Sequence, residues 1–206
     1  MPAVGTSVFT DPDAYEVGFR GAAINLVLTR GGEFTARLTR AALPNLQLID
    51  GQDSLPRIAW IAPARQLACV AFPTQFDPPV MWNGIELQLG DIVLQGRGAR
   101  GHQRTNGTSH WAYIWLAPEY LARYGKALTG RDLVLPRGCQ VLRPPPRAAA
   151  RLRRLHEQAC RLAATRPKVA AHRQVARALH HDLFHALVDC LTAGQARRHG
   201  GGMRRS

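Results

Sequence analysis

Two histidines four residues apart form the pattern in this chain that most resembles a metal site. The run His181-Asp182-Leu183-Phe184-His185 places both imidazoles on one face of a helix, as in the zinc-binding pattern H-E-x-x-H. Here Asp replaces the Glu that would reach a metal-bound water, and the following sequence offers no convincing third ligand. We therefore interpret the pair as the polar flank of a helix.

A second pair, His102 and His110, lies in the stretch GARGHQRTNGTSH. Metal-binding cupin barrels use an H-x-H pair with a nearby carboxylate, but here no Asp or Glu occurs between Asp91 and Glu119. We predict no metal and no cofactor, and we expect both histidines in a loop or at the mouth of a barrel. Ser54 lacks a G-x-S-x-G elbow and a base, and no phosphate-binding loop is present. The sequence therefore predicts a protein that is not an enzyme.

The aromatic residues concentrate in the first part of the chain, where 13 of the 14 precede position 140. For any one of them, packing in a core is the default interpretation. Small barrels also hold organic ligands against aromatic side chains with a few polar anchors. On that basis we predict a ligand pocket formed by Trp60, Phe72, Trp82, His102, His110, Trp111 and Tyr113.

Short apolar runs bounded by turn residues fill the region up to residue 140. Turns are predicted at Pro44-Asn45 and Asn83-Gly84, and the run HWAYIWL is apolar on both faces, so one of its faces needs cover from the helices that follow. About eight such strands predict an α+β protein, with an antiparallel β-sandwich or small barrel over residues 1–140 and α-helices over residues 141–194.

The helical segment carries a narrow apolar stripe at spacings of three and four residues. Leu152, Leu155, Ala159 and Leu162 belong to this stripe, which is typical of a helix that packs on another helix. We predict that the stripe forms a homodimer, although the partner helix can equally be the second helix of the same chain. Residues 195–206 have no apolar pattern and are predicted to be a disordered basic tail.

The net charge of +13 is uneven along the chain. Residues 1–140 carry 13 basic and 11 acidic side chains, whereas residues 141–206 carry 14 and 3. Four scattered cysteines without a C-x-x-C pair indicate a reducing compartment, and no apolar run is as long as a membrane helix. We expect a cytoplasmic protein with no membrane partner.

The order of these segments resembles the N-terminal sensor portion of AraC-type bacterial transcriptional regulators. The resemblance lies in the runs LQLIDGQDSLPRIAWIAP, PPVMWNGIELQLGDIVLQG, HWAYIWLAPEYL and VLRPPPRAAARLRRLHEQAC. It implies a cupin-like antiparallel β-barrel that binds a small organic effector, and helices that dimerise. In that family a separate C-terminal domain with two helix-turn-helix units reads DNA, and the fifteen residues after Leu191 are too few for one such unit.

Two other functions stay open from the sequence. One is a stand-alone cupin-like enzyme, such as an isomerase or dioxygenase. The other is a small basic protein that binds nucleic acid through its C-terminal helices. For the regulator portion itself, the basic excess predicts only weak, non-specific attraction to DNA.

Overall fold

The computed structural model describes residues 4–19, 21–76 and 78–197. It contains thirteen strands and five helices within those ranges. The strands are β1 Gly5–Phe9, β2 Ala22–Leu28, β3 Ala36–Leu43, β4 Leu46–Asp53, β5 Arg57–Pro63, β6 Ala68–Pro73, β7 Val80–Trp82, β8 Ile85–Leu87, β9 Ile92–Gln95, β10 Gly101–Thr105, β11 Ser109–Leu116, β12 Cys139–Arg143 and β13 Gln195–Arg197. The helices are α1 Pro12–Gly18, α2 Pro118–Thr129, α3 Pro146–Thr165, α4 Pro167–Ala170 and α5 Arg173–Ala193.

The strands form two antiparallel sheets that face each other. The larger sheet has the order β1-β3-β4-β11-β6-β9-β12-β13, and the smaller one has the order β2-β5-β10-β7-β8. The α+β class is confirmed, and the predicted barrel is an unclosed pair of sheets with more strands than the expected eight. Strand β12 crosses the predicted boundary at residue 140 and belongs to the larger sheet.

Both predicted hairpin turns are present. Leu43 pairs with Leu46 around Pro44-Asn45, and Trp82 pairs with Ile85 around Asn83-Gly84. Asn45 has a φ of 60° and Asn83 a φ of 47°, a left-handed conformation that asparagine tolerates better than most residues. These turns set the register of the strands on either side.

The larger sheet separates two cores, and strand β11 shows how. Its residues Trp111, Tyr113 and Trp115 face the smaller sheet, whereas Ala112, Ile114 and Leu116 face the helices. Successive side chains of a strand point to opposite faces, so one strand contributes to both cores. The expectation that helices cover the second apolar face of this strand is confirmed.

Helices α3 and α5 cover that face of the larger sheet. The stripe on α3 packs inside the chain, because Leu152 and Ala159 are each 1% exposed in the same core as Leu183 and Leu187 of α5. Leu155 and Leu162 are half-buried against the same core. The predicted use of Leu152 and Ala159 in a dimer is therefore corrected: their partner is the chain's own core, the alternative that the sequence left open.

The segment predicted to be a disordered tail, residues 195–206, begins with three residues that form a strand. Gln195–Arg197 form β13 and pair with β12, so the predicted disordered tail does not begin at residue 195. The rest of that predicted tail, residues 198–206, lies outside the described residues. None of the described helices has the length and apolar character that crossing a bilayer requires.

Candidate functional site

The inward face of the larger sheet carries a row of four side chains from four neighbouring strands. Cys69 pairs with both Trp115 and Gln95, and Gln95 also pairs with Cys139. Residues directly opposite each other in antiparallel strands share a face of the sheet. The row therefore runs across the inter-sheet space, from the aromatic strand β11 to β12 near the open edge.

Several buried polar atoms on this inward side have no hydrogen-bond partner among the described residues. They are Trp82 Nε1, Gln95 Oε1, Tyr113 Oη and Trp115 Nε1. Trp82, Tyr113 and Trp115 are at most 1% exposed, and Gln95 is fully buried. A buried polar group without a partner costs about 1–3 kcal/mol, so such groups often mark a place where water or a ligand binds.

Trp82 and Gln95 lie side by side. A Cβ built on Gly101 would be 2.8 Å from the Trp82 ring and 3.1 Å from Gln95 Nε2, so both side chains border the same point. Gln95 Nε2 donates to the carbonyl oxygen of Ile61 in the opposite sheet at 3.1 Å, and this bond orients its Oε1. The indole ring of Trp82 and the side-chain amide of Gln95 thus lie together on the inward side of the sheets.

A pocket of about 330 Å³ opens next to these groups, between β7-β8 and β12-β13. We call it the edge pocket. It is lined by Trp82, Asn83, Ile85, Cys139, Gln140, Val141, Ala196 and Arg197. Burial raises the pKa of the Cys139 thiol, an effect that the nearby side chains of Gln95, Asn83 and Trp82 only partly offset. The thiol is therefore neutral at physiological pH, and apart from Arg197 the pocket combines apolar walls with uncharged polar groups.

A carboxylate next to the edge pocket holds two arginines. Asp91 is fully buried and accepts from Arg143 Nε at 2.8 Å and from Arg197 Nη1 at 2.6 Å. Burial alone would raise its pKa, but hydrogen bonds from Arg143, the Gln88 backbone and Arg197 lower it below the ordinary value. Because Arg143 precedes the helices and Arg197 follows them, Asp91 ties both ends of the helical segment to the sheets.

A second buried ionic group lies elsewhere between the sheets. Arg57 donates to Asp53 at 2.8 Å, and Asp53 also accepts from Tyr15, Ser109 and Trp111 at 2.7–3.2 Å. Burial and the charge of Asp53 raise the pKa of Tyr15 well above its ordinary value. Arg57 Nε has no hydrogen-bond partner among the described residues, but each of these side chains makes at least one hydrogen bond within the group, which is typical of a structural network.

A buried histidine faces the helices rather than the inter-sheet space. His156 on α3 donates to the carbonyl oxygen of Tyr113 at 3.3 Å, and its ring lies 5.4 Å from that of Phe72. Burial lowers its pKa to about 4, only partly offset by hydrogen bonds to the backbone. His156 is therefore neutral near pH 7 and packs as a core residue.

The structure brings together only part of the predicted pocket. Trp82, Trp111 and Tyr113 face the inter-sheet space. Phe72 is corrected to the helix side of the larger sheet. Trp60 and His102 form a cross-strand pair on the outside, with Trp60 47% exposed, so neither lines a pocket between the sheets.

His110 also lies away from the inter-sheet space. It is half-buried and alternates along β11 with the inward-facing Trp111, so it shares the face of Ala112. Instead of the predicted loop or barrel mouth, His102 and His110 both lie within strands. The aromatic residues correctly indicated the strands, but the alternation of side chains along each strand decides which of them face the inter-sheet space.

Histidine pairs do not assemble a metal site in the part of the chain that the structure describes. The rings of His181 and His185 lie 4.3 Å apart on the exposed flank of α5. Across the described ranges, no group of three or more His, Cys, Asp or Glu side chains is placed to hold a metal ion.

A larger hollow, of about 600 Å³, lies beside α2 on the outer surface. Arg97 and Glu119 form an exposed ion pair at this hollow, Arg137 also lines it, and its remaining walls are apolar. None of the unpartnered buried atoms named above lines it. The edge pocket therefore presents the better-built polar wall.

Sequence reasoning missed Gln95, Trp115, Cys139, Asp91 and Arg197. One signal was available, because Gln95 ends the apolar run Ile92–Gln95 with an amide that the structure buries completely. The convergence of β12 and β13 on this edge depends on a return of the chain after about fifty residues of helix, which no local pattern reveals.

Comparison with known proteins shows the fold and no closer relationship. No protein-family model matches the chain, and no curated protein sequence does. The chain is similar to the crystal structure of the AraC-like transcriptional activator CuxR, with 14% identity and a TM-score of 0.55, over 87% of this chain and 65% of that one. This chain thus spans somewhat less than two thirds of the activator's length.

Two further structures give low scores. The plu4264 protein from Photorhabdus luminescens matches with a TM-score of 0.31 and 13% identity, over 57% of this chain and 92% of that one. Hazelnut vicilin, from Corylus avellana, matches with a TM-score of 0.30 and 13% identity, over 46% of this chain and 31% of that one. At these scores neither structure carries weight.

Proposed function

We propose that this chain is the effector-sensing portion of an AraC-type transcriptional regulator, which binds a small organic molecule between its two sheets. The observation that carries the proposal is the set of buried, unpartnered polar atoms on Trp82, Gln95, Tyr113 and Trp115. A specific ligand supplies the missing hydrogen-bond partners, whereas a purely apolar core leaves these polar atoms without partners. The AraC-like fold supports the same function.

Sensing fits these groups better than catalysis does. Asp53 accepts hydrogen bonds from four side chains, and His156 points at a backbone carbonyl on the helix side. Each is a potential acid or base that is already committed to structure, so neither is free to move a proton on a substrate. We propose that the protein acts without metal or cofactor, in the cytoplasm, and is not an enzyme.

Homodimerisation and DNA control complete the proposal. Because Leu152 and Ala159 are used inside the chain, we propose that a homodimer forms through another surface. The arginines of α3, such as Arg154 and Arg161, are exposed and favour weak contact with phosphates of any sequence. We propose that specific reading of DNA belongs to a helix-turn-helix domain, as in AraC-type regulators.

A thermal-shift screen of the 206-residue chain against a metabolite panel tests effector binding. A compound present at 100 times its Kd adds about 2.7 kcal/mol to the free energy of unfolding, which raises the melting temperature clearly. The same screen includes Fe²⁺, Mn²⁺ and Zn²⁺. Stabilisation by one of these metals alone would favour the cupin-like enzyme over the sensor.

A reporter assay tests the regulatory part. The chain is fused to the helix-turn-helix domain of a known AraC-type regulator, and the hits of the screen are added to cells. We expect reporter expression to change with the stabilising compounds. Binding without any change in expression would contradict the sensor role. Sequence-specific shifts of duplex DNA by the unfused chain would instead favour the nucleic-acid-binding alternative.

A further inference from the structure

Two polar groups that complement each other lie at the inner wall of the edge pocket and directly behind it, because Trp82 lines the pocket and Gln95 borders Trp82. Trp82 offers an indole N–H whose nearby acceptor is the weakly accepting sulfur of Cys139, and Gln95 offers a carbonyl oxygen without a partner among residues 4–19, 21–76 and 78–197. Both side chains are at least 99% buried. A ligand that satisfies both needs a hydrogen-bond acceptor next to a donor, as in a primary amide.

The charges around the pocket favour a neutral ligand. Arg197, the one ionised side chain that lines the pocket among the described residues, already pairs with Asp91 at 2.6 Å and donates to the carbonyl oxygen of Glu86 at 2.9 Å. The Cys139 thiol is neutral. An ionised ligand would lose its hydration here without gaining an unpaired opposite charge, which disfavours its binding.

One wall of the pocket belongs to β13. Ala196 and Arg197 line the pocket, and this short strand is held by pairing with β12 and by the contact of Arg197 with Asp91. Three residues of edge strand are weak on their own. The ion pair with a buried carboxylate therefore decides whether the wall stays closed.

We propose that the edge pocket binds a small neutral molecule carrying a primary amide or an equivalent acceptor-donor pair, and that β13, held by Arg197 and Asp91, is the wall that retains it. This inference rests on the proposed function for its biological meaning but names its own site and ligand chemistry. Binding and closure of β13 stabilise each other, because coupling between two events in one protein is reciprocal.

Cys139 provides a built-in reporter for this test. It lines the pocket and is half-buried, whereas Cys69, Cys160 and Cys190 are buried. The rate of its alkylation by N-ethylmaleimide, followed by mass spectrometry of the full chain, reports access to the pocket. A Cys139→Ser variant shows how much of the signal comes from the other three thiols.

Benzamide is the probe, since it joins an aromatic ring to a primary amide. At ten times its Kd it should slow alkylation of Cys139 about tenfold, because it then occupies all but about a tenth of the pockets. Benzoate has the same ring but carries a charge and no N–H donor. It should therefore bind at least about tenfold more weakly, because it cannot donate to Gln95 Oε1. Equal protection by both would overturn the assignment of a neutral amide.

Trp82→Phe is the matched variant, because it keeps an aromatic ring and removes the N–H. We expect benzamide to lose about tenfold in affinity with this variant, whereas Trp60→Phe on the outer face leaves affinity unchanged. If benzamide fails to protect the wild-type chain up to about 10 mM, a weak affinity even for a fragment of about nine heavy atoms, the site proposal is wrong.

The role of β13 as a wall of the edge pocket is tested without any ligand. Arg197→Gln should raise the alkylation rate of Cys139 about tenfold, because loss of one charge-assisted bond favours opening of β13 by that factor. Arg151→Gln, which removes an exposed ion pair with Asp189, is the control and should leave the rate unchanged. Equal rates in the two variants would show that β13 does not close the pocket.

These results separate the inference from the proposed function. Protection by benzamide together with a reporter that ignores every compound would leave the pocket in place and reject the sensor role. A reporter that responds to compounds which do not protect Cys139 would support the sensor role and reject this site.

Discussion

The two faces of the larger sheet differ in chemistry although they share the same strands. The face toward the helices contacts aliphatic side chains such as Leu152 and Leu187, and its buried histidine is fully engaged with backbone. The face toward the smaller sheet carries tryptophans, a tyrosine and an ion pair, with several polar atoms left without partners in the described ranges. Under the proposed function, the face toward the helices serves stability alone, whereas the inward face serves both stability and recognition.

This difference follows from what each face must do. The helix side needs only to exclude water, so shape and apolar area suffice. Tryptophan and tyrosine bury large areas yet keep a polar tip, which suits a surface that contacts a ligand. Substitutions on the two faces should therefore differ in whether they change stability alone or also binding.

The largest expected effect is on the ion pair of the inward face. Asp53→Asn leaves the buried guanidinium of Arg57 without its counter-charge, and removal of one partner of such a pair costs about 3–5 kcal/mol. Chemical denaturation measures this loss. The exposed Asp13→Asn is the control and should change the free energy of unfolding by less than about 0.5 kcal/mol. Similar losses in both variants would argue against a critical buried pair.

On the helix face, Leu152→Ala should lower the free energy of unfolding by about 3 kcal/mol, because it opens a cavity in the shared core. Leu155→Ala, at a half-buried position of the same helix, should cost less. Sedimentation velocity should show the same oligomeric state for Leu152→Ala as for the wild type. Dissociation of a wild-type dimer by this variant, with stability retained, would restore the stripe to an interface between chains.

The pH dependence of stability contrasts two groups on the helix side. The pKa of His156 falls to about 4 in the folded chain, from 6.5, so the unfolded state binds the extra proton and the free energy of unfolding decreases as pH falls from 6.5 to 4. The full shift amounts to about 3 kcal/mol. His156→Gln should remove this decrease in denaturation curves taken at each pH.

Asp50 acts in the opposite direction. Burial raises its pKa to about 6 from 3.8, with Arg37 opposing and Glu157 adding to the shift. The folded chain therefore binds this proton more readily, and the free energy of unfolding increases as pH falls from 6 to 3.8. Asp50→Asn should make the acid decrease caused by His156 steeper. A profile that Asp50→Asn leaves unchanged would contradict this assignment.

Much of the architecture was predictable because it is encoded locally. The Asn83-Gly84 turn and the start of α3 at Pro146 both follow from residues with strong conformational preferences. Gly194, at the end of α5, has a φ of −74° that any residue can adopt, but a Cβ there would lie 2.7 Å from the Cys190 carbonyl oxygen.

The site was predictable only in part, because its geometry is non-local. Phe72 and Trp82 are both aromatic residues in predicted strands. Strand register places Phe72 on the helix side and Trp82 on the side of the inter-sheet space. The pairing of β13 with β12 joins residues more than fifty positions apart, so Arg197 gave no local sign of its contact with Asp91.

The smallest expected effects belong to the outer face of the smaller sheet. Trp60→Phe and His102→Ala alter an exposed cross-strand pair and should change the free energy of unfolding by less than about 1 kcal/mol, with benzamide affinity unchanged. Denaturation and the alkylation assay measure both quantities. Loss of benzamide binding in either variant would move the site from the inter-sheet space to the outer surface.

The most direct test of the account follows the indole N–H signals of the four tryptophans by ¹H–¹⁵N NMR during a benzamide titration. Each signal is assigned by replacing Trp60, Trp82, Trp111 or Trp115 with Phe. We predict that the signal of Trp82 shifts most, because its N–H gains an acceptor, while that of the outward-facing Trp60 stays in place. An unshifted Trp82 signal at saturation would contradict the claim that the unpartnered groups of the inward face bind a ligand.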